Sequence, residues 1–193
     1  MVAIISRCGR VKLTSSSASP SQSKVAIPED DLQRQLTVAH SDSPKMRHVA
    51  VAGDTYTILV SGAETAGHYC LIDMHVPAGG GPPPHRHDFE EMFTLLEGEL
   101  EFTFRGKTST VRAGSTVNIP ANAPHSFENA SSVAVRMLCM ATPAGLDEFF
   151  LEIGDLVDGR TAQPPTLTQE ELDERQKKVG SLLAKYRTEM VAT

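Results

Sequence analysis

The run His85-Arg86-His87-Asp88-Phe89-Glu90-Glu91 sets two imidazoles and three carboxylates close together, and a further His125 ends the run Pro120-Ala121-Asn122-Ala123-Pro124-His125. Side chains alternate across an extended chain, so His85, His87 and Glu91 share one face while Arg86, Asp88 and Glu90 take the other. With His125 added, the first face offers four ligands to one divalent metal. Imidazole nitrogens and a carboxylate suit Fe(II), Mn(II), Ni(II), Co(II), Cu(II) or Zn(II), and four protein ligands leave one or two positions open for water, oxygen or substrate. An open site is catalytic more often than structural. The competing reading, a strand end that is simply polar at the surface, requires four ligand-type residues to fall into place by chance. His40, His48, His68 and His75 lack ligand spacing and are expected to be solvated or hydrogen-bonded.

Such ligands need a frame. From His48 onward, short apolar runs recur between Gly, Pro, Asp and Asn: Val49–Val51, Tyr56–Val60, Tyr69–Ile72, Met92–Leu96, Leu100–Phe104, Val117–Ile119 and Val133–Cys139. Regular short strands with turn signals predict an all-β sandwich or barrel. Glu97-Gly98 and Arg105-Gly106-Lys107 have the composition of hairpin turns. Past residue 142 the period changes, and Leu146, Phe149, Phe150, Ile153 and Leu156 form a helical stripe over 145–157 that should pack on the barrel. After Pro164-Pro165, Thr168-Gln169-Glu170-Glu171 is a capping box predicting a helix to about Met190. That helix has Leu172, Val179, Leu182, Leu183 and Tyr186 on one side, for packing or a dimer contact. With no internal repeat, the organisation expected is a flexible tail over 1–45, one barrel over 46–142 and a helical extension over 143–193.

Composition limits the partners. A formal charge of -6 leaves no basic surface for a phosphate backbone, which argues against nucleic acid. No apolar run is long enough to span a membrane, and Val2–Ile5 is too short for a signal-peptide core. Cys8, Cys70 and Cys139 are odd in number and widely spaced, which fits a reducing, cytoplasmic setting with Cys70 and Cys139 as core thiols. The tail carries the low-complexity stretch Thr14–Ser21 and the basic residues Arg7, Arg10, Lys12 and Lys24, a weak transit-peptide flavour that a plain flexible tail explains equally well.

Two stretches resemble the cupin family. Gly79, His85, His87, Glu91 and Gly98 fall at the spacing of the first cupin motif, and Gly114, Pro120, His125 and Asn129 at that of the second. Asn122 stands where the family usually has glycine, and asparagine is the next most tolerant residue of a left-handed backbone. The resemblance covers roughly residues 48–142 and implies a jelly-roll barrel with His85, His87, Glu91 and His125 converging on one divalent transition metal inside it. It also implies a homodimer, to which an exposed strand edge in residues 49–60 would lend itself.

The helix beginning Gly145-Leu146-Asp147-Glu148-Phe149-Phe150 is similar to that of single-domain cupins called quercetin-dioxygenase-like, in which the glutamate matching Glu91 can act as a base toward the substrate hydroxyl. Parity from Glu91 nominates Phe93 and Leu95 for the pocket wall, and parity from His125 nominates Phe127. Met74, Phe102, Phe104 and Met137 are further candidates, with ordinary core packing as the competing role for each. An apolar pocket suits a small aromatic or enolic substrate. Three functions are open: a metal-dependent dioxygenase, a non-redox isomerase, decarboxylase or lyase using the metal as a Lewis acid, and a non-enzymatic small-ligand-binding module.

Overall fold

Alternating burial organises the molecule. In a computed structural model, which describes residues 27–192, Val135, Met137, Cys139 and Ala141 are buried while Arg136, Leu138 and Met140 between them are half-buried. The chain forms two units, 1–33 and 34–193. Of the first, residues 27–33 are described: they are exposed, and the Asp31 carboxylate accepts from the Gln33 amide at 3.0 Å. The stretch Thr14–Ser21, the four basic residues of the tail and Cys8 lie outside the described residues.

The second unit contains strands β1 (Arg47–Val51), β2 (Asp54–Val60), β3 (Cys70–Val76), β4 (His85–His87), β5 (Glu90–Glu97) and β6 (Glu99–Phe104). These are followed by β7 (Lys107–Arg112), β8 (Thr116–Ile119), β9 (His125–Glu128) and β10 (Val135–Thr142). Helix α1 (Leu146–Ile153), strand β11 (Asp155–Val157), helix α2 (Gln169–Leu182) and strand β12 (Thr188–Met190) complete it. One antiparallel sheet has the order β11-β1-β2-β3-β10-β5-β8 and the other β12-β4-β9-β6-β7. The apolar faces of the two sheets bury Ile72, Met74, Phe93, Leu95, Leu100, Ile119, Phe127 and Met137 between them, the arrangement of a jelly roll.

Each of the seven apolar runs lies in or overlaps a strand. Strands β7, β11 and β12 carry little apolar alternation and lie outside the apolar runs, whereas β9 is the extended segment whose parity nominates Phe127; β7 is a mostly exposed edge strand with the sequence Lys-Thr-Ser-Thr-Val-Arg. Both helical expectations are corrected in length. The stripe over 145–157 yields a helix only to Ile153, because Gly154 passes so close to β1 that a Cβ there would collide with the Val49 side chain and lie 2.6 Å from the Ala50 carbonyl oxygen. The chain then pairs with β1 as β11, leaving Leu156 72 % exposed instead of buried on the stripe. The same pairing covers the outer edge of β1, so residues 49–51 offer no open edge to a second copy.

The capping box forms as expected, with Thr168 accepting from the Glu171 amide and Glu171 accepting from the Thr168 amide. The helix stops at Leu182, however, short of Met190. Arg187 takes a left-handed φ of 51°, and Thr188–Met190 continue as a strand against β4. Val179, Leu182, Leu183 and Tyr186 pack on the core, whereas Leu172 is exposed. Among the described residues, no helix is long and apolar enough to cross a membrane.

Candidate metal centre

Strand β4 supplies His85 and His87, β5 supplies Glu91 and β9 supplies His125, which lies directly opposite His85 across the β4–β9 pair. The segment Asp88–Phe89 interrupts the strand, but Glu91 lies an even four positions after His87, and both are buried and point inward. Glu91 is 5 % exposed, while Glu90 faces outward and accepts from Asn118 at 3.3 Å. On the outer side of β4, Arg86 pairs with Glu189 and Asp88 with Arg187. One ligand atom from each of His85, His87, Glu91 and His125 can be chosen so that all four lie within 4.8 Å of one another.

The backbone decides which nitrogen each ring presents. The Nδ1 atoms of His85, His87 and His125 each lie 2.9 Å from a carbonyl oxygen, that of Pro83, Phe89 and Ala123 respectively. A carbonyl only accepts, so each Nδ1 carries a proton, and Nε2 is the ring nitrogen that each histidine turns away from the backbone. Glu91 Oε2 lies 3.0 Å from His87 Nε2 and 3.2 Å from His125 Nε2. With neutral rings these are acceptors facing acceptors, an arrangement that a cation among them satisfies. The donor set therefore fits a divalent transition metal, through three imidazole Nε2 atoms and one carboxylate oxygen.

Electrostatics follow the same geometry. Burial, and next the neighbouring His125, push His85 down to about 4, so its ring is neutral near pH 7. Burial alone would raise the Glu91 carboxyl, but His125 and His87, whose Nε2 atoms can donate to it when protonated, outweigh burial and hold the carboxyl below the usual carboxylate range. The other Glu91 oxygen, Oε1, lies 3.2 Å from Cys139 Sγ. Burial first, and then the Glu91 charge, push the Cys139 thiol well above its ordinary value, so it stays protonated and donates.

The nominated pocket residues are all in the barrel, with different surroundings. Phe93, Phe102 and Phe127 form a trio with ring centroids 5.4 to 5.5 Å apart. Leu95, Met74 and Met137 are buried alongside, whereas Phe104 is half-buried, with the Arg105 guanidinium 4.8 Å from its ring centroid. The other histidines stand apart from the metal cluster: His48 is buried and bonded to Thr57 Oγ1 at 2.8 Å, His75 is half-buried, and His40 and His68 are exposed.

Two residues of the site escaped the sequence reading. Phe89 stacks flat on His87, with centroids 3.8 Å apart, and also lines a cavity of about 230 Å³ with Leu146, Phe149, Tyr186 and Arg187. Cys139 is the buried core thiol expected, but its contact with Glu91 depends on which strand lies beside β5, which strand parity alone does not reveal.

Residues 72–141, from β3 to the end of β10, match the cupin domain family. The chain carries a cupin domain. It is 34 % identical over 74 residues to an uncharacterized protein of Methanocaldococcus jannaschii, covering 38 % of this chain and 59 % of that one. It is 28 % identical over 120 residues to the quercetin 2,3-dioxygenase of Bacillus subtilis, covering 62 % of this chain and 35 % of the enzyme. The chain thus spans less than two thirds of the length of either relative. Among solved structures it resembles the polyketide cyclase RemF of Streptomyces resistomycificus, with a TM-score of 0.51, 20 % identity and coverage of 77 % of this chain and 99 % of that one, a likeness of fold.

Proposed function

We propose that this cupin is a metal-dependent dioxygenase acting on a small aromatic or enolic substrate, with His85, His87, Glu91 and His125 as the ligands of one divalent metal. The observation that carries the metal reading is the pinning of all three Nδ1 protons by backbone carbonyls, which leaves three Nε2 lone pairs and Glu91 Oε2 converging. The similarity to quercetin 2,3-dioxygenase supports the choice of reaction. The metal would be Fe, Mn, Ni, Co, Cu or Zn, and when bound it would bring substrate and oxygen together and stabilise the developing enolate charge.

The chain's own residues would do the rest. The Glu91 carboxylate, beside both the metal position and the pocket, would accept the substrate hydroxyl proton. The apolar walls, with Phe104, Phe127, Phe93, Leu95, Met74 and Met137 as candidates, would exclude water and favour a flat ligand. In this reading residues 46–142 are the catalytic barrel, 1–45 a tail and 143–193 its cover. The free buried thiols Cys70 and Cys139 support a reducing, cytoplasmic setting. A homodimer would form at an open sheet edge such as β11, where Leu156 is exposed.

Elemental analysis of the purified protein, followed by oxygen uptake with flavonols and β-diketones, tests the proposal. About one equivalent of metal and substrate-dependent oxygen consumption are expected. His85→Ala and His125→Ala should each lose most of the metal and remain folded, and Glu91→Gln should lose turnover. Bound metal with no oxygen uptake would turn the assignment to isomerase, decarboxylase or lyase chemistry, and unchanged metal content in both histidine variants would overturn the ligand set.

A further inference from the structure

Glu91 has two oxygens with different neighbours. Oε2 faces His87 and His125, and Oε1 receives the Cys139 thiol at 3.2 Å. The contact is built into the sheet. Strands β5 and β10 pair so that Ala141 lies opposite Glu91 and Cys139 opposite Phe93, which puts Cys139 on the inner face diagonal to Glu91. Ala141 leaves the space directly across from Glu91 open, and Cys139, with no exposed surface, is buried where water cannot compete for the carboxylate.

We infer that Cys139 is a positioning residue, whose thiol holds Glu91 Oε1 so that the carboxylate meets a metal through Oε2 alone. The inference rests on the metal reading above. A carboxylate free to rotate can chelate through both oxygens, filling a position that substrate or oxygen would use. A donor on Oε1 opposes that rotation. Groups that orient a ligand in this way commonly change metal affinity by about tenfold to a hundredfold when removed.

Serine and alanine at position 139 separate this role from packing. Serine keeps a donor at the γ position, alanine removes the donor and leaves the larger void, and Cys139→Val fills that void without a donor. Full-length wild type, Cys139→Ser and Cys139→Ala would be titrated anaerobically with Co(II) alone, reading the dissociation constant and the visible d–d spectrum. Thermal melts of the metal-free proteins check folding. Cys139→Ala should bind at least about tenfold more weakly, with an altered spectrum, while Cys139→Ser should stay within about threefold of wild type and keep its spectrum.

If the alanine variant does not fold, Cys139→Val, which fills the volume and cannot donate, carries the same expectation. Equal weakening in serine and alanine, or none in either, overturns the positioning role. So does a thiolate-to-cobalt charge-transfer band in wild type, which would make Cys139 a ligand. Wild type that binds no Co(II) overturns the metal reading itself and the positioning role with it, a result distinct from any change between variants.

Discussion

At the residue scale, two of the buried carboxylates, Glu91 and Asp54, have opposite surroundings. Glu91 lies among imidazoles, which favour its charged form. Asp54 is 2 % exposed and accepts from the Tyr56 hydroxyl at 2.9 Å, while its Oδ1 has no well-formed hydrogen bond among the described residues. Burial pushes its carboxyl up to about 7, and the Tyr56 hydroxyl and the nearby Gly81 amide offset only part of that. The folded state thus favours neutral Asp54, whereas the unfolded chain ionises it near its ordinary value of 3.8. The stability tied to the neutral form is complete below that lower value and is lost as pH rises through about 7. Asp54→Asn removes this dependence, so between pH 5 and pH 8 its stability relative to wild type should rise by roughly 2 kcal/mol in urea unfolding. A constant difference across that range would show that the fold does not raise the Asp54 carboxyl.

At the scale of elements, the ligand strand β4 is only three residues long and sits between two others. On one side β9 brings His125 opposite His85; on the other β12 pairs Thr188 with His87 and Met190 with His85. The Val191 amide also donates to the Pro84 carbonyl, and the Asp88 amide to that of Arg187. Removing residues 188–193 would expose the outer edge of β4 and free the backbone that aims both imidazoles. The truncated protein should melt lower by about 5 °C, for a net loss of a few hydrogen bonds, and should bind metal more weakly than wild type. An unchanged melting point and metal affinity would show that β12 only covers the edge. Sequence periodicity could not reveal β12. Thr188-Glu189-Met190 has no alternation to bury, and it becomes a strand because β4 presents unpaired backbone groups there. β11 forms against β1 for the same reason, whereas β5 and β6 were legible because Phe93, Leu95, Leu100 and Phe102 point regularly inward.

At the scale of the whole molecule, the metal site draws on three strands, so binding a metal would link β4, β5 and β9 and stabilise the native state over the unfolded chain. At a free metal concentration of one hundred times the dissociation constant the gain is about 2.7 kcal/mol, which should raise the melting temperature by roughly 5 to 10 °C. Chelator should reverse the shift, and His125→Ala should show none; a melting temperature indifferent to metal would count against a site formed across the two sheets. The sequence by itself determined the donor types, their common face, the turn that Asn122 makes at a φ of 67° and the apolar pattern of the larger strands. Those features depend on neighbouring residues and on a period of two. Only the tertiary structure decided that Cys139 lies under Glu91, that Phe89 stacks on His87, that α2 stops short and that β12 closes over β4. Each of these depends on which strands become neighbours or on how the backbone turns between elements, and spacing along the chain does not encode either.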